Sequence, residues 1–179
     1  MGINSYRGVG EVNESRILSV AKQMEDMIEP LEKVCGKKFD LDELKSVVAL
    51  SRECSELWKE VLETASSVPS PLTFFDGTTL MGPAVVGRGT QEAVDFYKIL
   101  LAELKERAEN KDGAIEEERF RIYWDGMPIW GRLRMLSEVF AENNSCVVAS
   151  TYCNSWIFTD FDPINPFTSM ARAYTKLFT

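Results

Sequence analysis

Two segments of the chain concentrate side chains that could do chemistry. DGMPIWG, at 125–131, offers an acid, a flexible glycine and free N–H groups at the start of a helix, a combination suited to a carbonyl or phosphate group. STYCNSW, at 150–156, places hydroxyls, a thiol, an amide and two aromatic rings within one short stretch. A thiol in such surroundings could ligate iron or line an apolar acyl pocket.

We therefore predict substrate-binding residues in both segments and one metal ligand. The candidates for substrate binding are Asp125, Gly126, Met127, Trp130, Ser150, Thr151, Asn154, Ser155 and Trp156. The candidate metal ligand is Cys153, a lone cysteine that needs partners from other segments. The spacing alone identifies no catalytic residue. Each segment also has a plainer interpretation, as a strand-to-helix turn and as a polar loop folded over the core.

The sequence contains no histidine, and this excludes several reaction types. Ser-His and Cys-His nucleophile pairs, HExxH zinc sites and the usual general base at neutral pH are all ruled out. Carboxylates, thiols, hydroxyls, aromatic rings or a cofactor must do any chemistry. The 4 cysteines form no CxxC pair, and we expect them to be reduced, with Cys35, Cys54 and Cys146 buried and inert.

The composition is that of an acidic globular chain. Its 179 residues are 45% hydrophobic, which is enough for the core of one domain or slightly more. A net charge of −8 and a pI near 4.7 argue against a nucleic-acid surface, which needs clustered Lys and Arg. The sequence shows neither an apolar run long enough to span a membrane nor a secretory signal at its start, so we expect a cytoplasmic protein.

Three long helices are expected before any strand. The first covers 14–34, is interrupted at Pro30 and stops at Gly36. The second starts at Asp40 with a capping-box-like pattern, and the third is capped by Thr90 and runs to about residue 110. The glycine-rich but apolar stretch at 73–89 predicts an ordered connection that packs against other parts of the chain.

From residue 119 onward the hydrophobic pattern changes from that of helices to that of strands. Residues 120–124 alternate, residues 146–149 are continuously apolar, and a helix beginning near Pro128 lies between them. This order predicts a βαβ unit with parallel strands, so both chemical segments should lie at the same edge of the sheet. A last helix is expected at 165–178.

The predicted fold class is helix-rich α/β, in which long helices precede a Rossmann-like βαβ unit. We expect a helical region at 1–113, and the βαβ unit with its C-terminal helix at 114–179. Two parallel strands do not make a stable covered sheet by themselves. Further strands must come from elsewhere, so we expect either a partial domain of a longer subunit or a tightly assembling chain.

The sequence also resembles a known protein family. The stretch FRIYWDGMPIWGRLRMLSEVFAENNSCVVASTYCNSWIF, at 120–158, is similar to the central part of the 2-hydroxyacyl-coenzyme A dehydratase and benzoyl-coenzyme A reductase family. GRGTQEAVDFYKILLAELKER, at 87–107, is similar to the long helix that precedes that part. VVASTYCNSW and the ending MARAY look closest to the reductase branch.

The resemblance implies a subunit that acts on an acyl-coenzyme A thioester by low-potential one-electron chemistry, with either aromatic ring reduction or 2-hydroxyacyl dehydration as the outcome. It implies a 4Fe-4S cluster, a sister subunit and an ATP-dependent activator protein, with the cofactor carrying the difficult chemistry. Family subunits are longer, with cluster cysteines on both sides of this region. We therefore expect the isolated chain to lack the cluster and to be inactive.

Two other functions stay open at this point. One is a non-catalytic helical binding or assembly module, whose βαβ part docks a partner. The other is a small α/β ligand-binding protein that uses the helix start at Ile129.

Overall fold

The computed structural model of the chain describes residues 13–176, and it confirms a helix-rich α/β fold. The helices are α1 (Glu14–Asp26), α2 (Ile28–Cys35), α3 (Leu41–Glu63), α4 (Phe74–Leu80), α5 (Gly82–Val86), α6 (Gln91–Asn110), α7 (Leu133–Glu142), α8 (Thr151–Asn154) and α9 (Pro166–Lys176). The strands are β1 (Phe120–Trp124) and β2 (Ser145–Ser150). None of the described helices is both long and apolar enough to cross a membrane.

The chain divides into two compact units. The first consists of Met1–Arg52 and Phe158–Thr179, of which 13–52 and 158–176 are described, and the second is Glu53–Ile157. The second unit contains both strands and both chemical segments. The domain boundary that the sequence predicts at residue 113 stays a prediction.

In the first unit, α1 packs against α9. Ile17, Ala21 and Ala171 form its buried core, and Val20 and Phe167 pack on them. The fully buried side chains of α9 are small, so the two helices can approach closely. Of the residues predicted to face inward at the end of this helix, Leu177 and Phe178 lie outside the described residues.

The first predicted helix breaks at a different place from the one expected. The break falls at Met27, which separates α1 from α2, and Pro30 lies in the first turn of α2. A proline is tolerated there because the first N–H groups of a helix have no partner within it. Gly36 ends α2 as predicted, with a φ of +66° that favours glycine.

The other two long helices begin where the sequence predicts. Asp40 Oδ1 accepts hydrogen bonds from the backbone N–H groups of Asp42 and Glu43, at 2.8 and 3.2 Å. Thr90 Oγ1 accepts one from Ala93 N at 3.3 Å. These side chains satisfy donors that the helix itself leaves free.

The core of the second unit lies between the second half of α3 and the inner face of α6. Trp58 and Val61 from α3, and Val94 and Tyr97 from α6, are fully buried. The rings of Trp58 and Tyr97 lie 5.4 Å apart in a tilted arrangement.

The glycine-rich connection between α3 and α6 is ordered and folds into α4 and α5. Thr73 and Asp76 form a capping box at the start of α4, in which each side chain bonds the other's backbone N–H. Phe74, Phe75 and Gly77 are buried on α4. The short helices thus fill the core of this unit instead of crossing its surface.

The βαβ prediction is confirmed. β1 and β2 are parallel neighbours, paired from Phe120 with Ser145 to Trp124 with Ser150, with an irregularity between Ile122 and Tyr123. Among residues 13–176 the sheet has only these two strands. The crossing helix starts later than predicted, because a 3-10 turn covers Trp130–Arg132 and α7 begins at Leu133.

Candidate functional site

The candidate site lies where the two strands end. The register pairs Trp124 with Ser150, so the segments at 125–131 and 150–156 leave the same edge of the sheet. Parallel strands joined by a helix have their carboxyl ends on one edge, and such edges are common places for ligands. The predicted juxtaposition of the two segments is therefore present in the structure.

Thr151 links the two segments directly. Its Oγ1 accepts a hydrogen bond from Gly126 N at 2.9 Å and donates one to Asp125 Oδ1 at 3.0 Å. Gly126 has a φ of +91° with open space around it, a conformation that side chains other than glycine rarely adopt. Asp125, Gly126 and Thr151 thus form one polar contact at the surface.

The second segment is a single helical turn, α8, where the sequence predicts a loop. Ser150 is buried, and its side chain caps the turn by accepting from Cys153 N at 3.1 Å. Ser155 Oγ donates to Thr151 O at 2.7 Å. Asn154 and Ser155 are exposed, whereas the hydroxyl of Ser150 faces inward.

Exposed apolar side chains surround this polar contact. Met127, Ile129 and Trp130 are about half exposed or more, which is unusual for such large apolar residues. The rings of Trp130 and Tyr152 meet edge to face at 5.9 Å, one from each segment. The site therefore combines hydrogen-bonding groups with an apolar surface.

An aromatic cluster supports β1 just before it reaches the site. Trp124 stacks on Phe74 at 5.2 Å and meets Phe75 and Phe140 edge on, at 6.2 and 6.3 Å. Trp124 Nε1 also donates to Met127 O at 3.3 Å. These contacts fix the direction in which the DGMPIWG segment leaves the strand.

The helix start predicted at Ile129 is wrong as an anion site. Ile129 precedes the 3-10 turn, and regular helix begins only at Leu133. The free N–H groups of a long helix are therefore not present beside Asp125. The small ligand-binding function that depended on this helix start loses its structural basis.

A cleft beside β2 runs along the inner side of α8. Its volume is about 40 Å³, which holds water but not an acyl group. Its lining includes Leu62, Phe74, Val148, Ser150, Cys153 and Asn154. Any larger ligand must therefore lie across the exposed face of the two segments.

Two side chains near the site were missed by sequence reasoning. Trp58 Nε1 donates to Cys153 O at 3.1 Å, and Arg88 Nη2 donates to Trp156 O at 2.6 Å. The signal for Arg88 was an arginine between two glycines in an apolar stretch, since a partly buried guanidinium needs acceptors. Trp156 itself is half-buried, and its Nε1 has no hydrogen-bond partner among the described residues.

The comparison with known proteins agrees with the resemblance. A family model described as 2-hydroxyglutaryl-CoA dehydratase, D-component, matches residues 10–179. The chain belongs to this D-component family. Relatives from both the dehydratase and the reductase branches are similar to it, which confirms the family resemblance.

Three relatives illustrate the range of the D-component family. The alpha subunit of (R)-2-hydroxyisocaproyl-CoA dehydratase from Clostridioides difficile is 31% identical over 97% of this chain and 43% of its own length. A benzoyl-CoA reductase subunit from Thauera aromatica is 33% identical over 82% and 36%. The alpha subunit of (R)-2-hydroxyglutaryl-CoA dehydratase from Acidaminococcus fermentans is 26% identical over 96% and 35%. The chain thus spans about two fifths of the length of these relatives.

The cysteines of this D-component chain do not converge. Cys54, Cys146 and Cys153 are buried, whereas Cys35 is exposed, so its predicted burial is wrong. Burial raises the pKa of the Cys153 thiol, and Cys153 Sγ lies 3.4 Å from where a Cβ on Gly77 would be. Residues 13–176 contain no group of three or more His, Cys, Asp or Glu side chains that could hold a metal ion. The described residues therefore do not fit a four-iron cluster, which needs several thiolates.

Proposed function

We propose that this chain is part of an enzyme subunit that binds an acyl-coenzyme A thioester, and that the segments at 125–131 and 150–156 form the binding surface. The proposal is supported by family membership together with one structural observation. Thr151 joins the two segments through bonds of 2.9 and 3.0 Å, so they act as one surface. The relatives named above are subunits of acyl-CoA dehydratases and a benzoyl-CoA reductase.

The chemistry of this surface suits a thioester ligand. We assign the apolar part of the ligand to the side chains of Met127 and Trp130, which are exposed. We assign its carbonyl and amide groups to the polar residues around Thr151, because such groups need hydrogen-bonding partners. The polar candidates are Asp125, Gly126, Ser150, Thr151, Asn154 and Ser155, with Trp156 at the end of the segment. Ser150 acts through its cap on α8, since its hydroxyl faces inward.

We place the redox cofactor of the enzyme outside the described residues. A 4Fe-4S cluster supplies low-potential one-electron chemistry when it is bound, either for ring reduction or for 2-hydroxyacyl dehydration. No described group of side chains fits such a cluster, so its thiolates would come from other parts of a longer subunit. Cys153 as a ligand stays a prediction. The role of this chain is then to bind and orient the thioester.

The proposal includes partners and further chain. The relatives are named as subunits, which supports an assembly with a sister subunit, and we extend this to an ATP-dependent activator protein. The two-stranded sheet has unpaired edges, and β1 exposes Phe120 and Tyr123. Such edges call for covering strands. We propose that the rest of a longer, cytoplasmic subunit supplies them.

The binding surface is tested by titration of the full-length subunit, co-expressed with its neighbour. The ligands are 2-hydroxyisocaproyl-CoA, 2-hydroxyglutaryl-CoA and benzoyl-CoA, with free coenzyme A and inorganic phosphate for comparison. We expect at least one thioester to bind about tenfold more tightly than coenzyme A. Met127→Ala should weaken that binding about fivefold, because it removes exposed apolar surface at the site.

Met135→Ala is the matched control, since Met135 is also exposed but lies on α7. It should leave thioester affinity unchanged. Equal effects of the two substitutions, or no preference for thioesters over coenzyme A, would overturn the proposed surface.

The cofactor part needs a separate measurement. We expect iron and an electron paramagnetic resonance signal after anaerobic purification of the full-length subunit with its neighbour. Absence of iron under these conditions would remove the one-electron chemistry and leave a helical binding or assembly module.

A further inference from the structure

Two long-range hydrogen bonds hold the 150–156 segment from its inner side. Trp58 on α3 bonds to Cys153 O, and Arg88, in the turn between α5 and α6, bonds to Trp156 O. The partners are 95 and 68 positions apart in the sequence. These bonds therefore belong to the tertiary structure and not to the local turn.

Both donors are fixed by their own surroundings. Trp58 is fully buried and packs on Tyr97 at 5.4 Å. The Tyr97 hydroxyl accepts from Ala84 N at 2.9 Å, which fixes the short helix leading to Arg88. Arg88 Nη1 also donates to the hydroxyl of Ser55, a fully buried residue of α3. Donors held in this way can set the position of a flexible segment.

Both acceptors lie at or just after the end of α8. The last carbonyl groups of a helix have no donor within it, so outside donors can bind them. Cys153 O also accepts a longer bond from Trp156 N, at 3.4 Å. The donors from α3 and from Arg88 therefore secure the end of α8 opposite to Thr151.

We propose that Trp58 and Arg88 are positioning residues, which hold α8 through these two carbonyls and so keep Thr151 against Asp125 and Gly126. This inference rests on the proposed function, because it gives both side chains a part in thioester binding. Neither of them needs to touch the ligand. Their effect passes through the backbone of the 150–156 segment.

Hydrogen exchange measured by mass spectrometry on the full-length subunit with its neighbour tests the positioning step. We expect Arg88→Gln to speed exchange in peptides covering 151–157 and 126–131 at least tenfold, while peptides from α6 stay unchanged. Trp58→Phe keeps an aromatic ring but removes the N–H donor, and it should speed exchange in the same peptides. Arg134→Gln is the matched control, because Arg134 is an almost fully exposed arginine on α7.

Thioester titration tests the consequence for binding. Arg88→Gln should weaken acyl-CoA affinity about tenfold, and Arg88→Lys should recover part of the loss. A lysine keeps the charge but cannot bridge Ser55 and Trp156 as a planar guanidinium does. A residue with only a structural role would change stability without this graded change in affinity.

The outcomes separate the two proposals. Unchanged exchange at 151–157 in Arg88→Gln would overturn the positioning role, and so would equal acceleration in every peptide. Local acceleration without any loss of thioester affinity would overturn the link to binding. If the unsubstituted protein binds no acyl-CoA, the proposed function fails, whereas exchange still decides whether Arg88 holds the segment.

Discussion

Thr151 and Asp125 bond to each other across the ends of two parallel strands, with 3.0 Å between Thr151 Oγ1 and Asp125 Oδ1. The same hydroxyl accepts from Gly126 N, so one side chain satisfies groups on the opposite segment in both directions. The two residues are 26 positions apart in the sequence. A site assembled this way depends on the pairing of the strands as well as on the loops.

We expect Thr151→Val to destabilise the protein by about 1 kcal/mol, because it removes two hydrogen bonds and adds almost no strain. The value is small since both bonds are exposed to water. Thr151→Ser keeps the hydroxyl and should stay within about 0.5 kcal/mol of the unsubstituted protein. The free energy of unfolding from urea titration measures both, and equal values for Val and Ser would contradict the link.

Gly77 offers a prediction of opposite sign. This glycine lies within α4, and an added Cβ would lie 3.4 Å from Cys153 Sγ and 3.9 Å from Leu62 Cδ2, which are ordinary contacts. Gly77→Ala should therefore stabilise the protein by about 0.5–1 kcal/mol through helix propensity. Gly77→Leu should destabilise it by about 1–3 kcal/mol through overpacking.

Gly82→Ala serves as the comparison for Gly77, because Gly82 begins α5 and has open space around it. Its effect should not depend on side-chain size, so Gly82→Leu should resemble Gly82→Ala. A destabilising Gly77→Ala in thermal unfolding would show that α4 and α8 pack more tightly than these distances indicate.

The buried thiols make stability depend on pH in the alkaline range. Burial, followed by the nearby Glu118 carboxylate, raises the pKa of Cys146 from 9.0 to about 11. Between these values the unfolded chain loses the proton and the native chain keeps it, so stability falls as pH rises from about 9 to about 11. Cys146→Ala should reduce this slope, as seen in unfolding free energies at several pH values. An unchanged slope would contradict the assignment to Cys146.

The sequence predicted those features that depend on local signals or on a long hydrophobic pattern. Asp40 and Thr90 carry cap side chains, and their helices begin beside them. The switch from helical to strand periodicity predicted the parallel pair and hence the meeting of Asp125 with Thr151. Topology alone was sufficient for that juxtaposition, because parallel strands end at one edge.

Features that depend on tertiary contacts were missed. α4 was not recognised as a helix, since it is too short and too buried to show a polar face, although Thr73 and Asp76 carried a capping-box signal. The delayed start of α7 follows from a 3-10 turn that no residue type announced. Arg88 and Trp58 reach the site from distant helical segments, and spacing along the chain contains no record of such contacts.

The buried ion pair of Glu118 and Arg121 provides the strongest expected loss of stability. The Glu118 side chain is 2% exposed, accepts from Ser70 N at 2.6 Å and bonds to Arg121. Arg121 lies in β1 and also donates to Ala65 O and Ser67 O, so the pair ties the strand to the turn after α3. Removing the carboxylate charge leaves a largely buried guanidinium without its anion.

We therefore expect Glu118→Gln to lower the free energy of unfolding by about 1–3 kcal/mol, less than a fully buried charge would lose, because Arg121 keeps its two carbonyl acceptors. Glu138→Gln is the control, since its pair with Arg134 is exposed on α7 and should contribute less than about 0.5 kcal/mol. Urea unfolding of both variants measures the difference. If the two substitutions cost the same, the pair at the start of β1 does not hold the strand, and the edge that carries Asp125 must be fixed by the aromatic cluster around Trp124 instead.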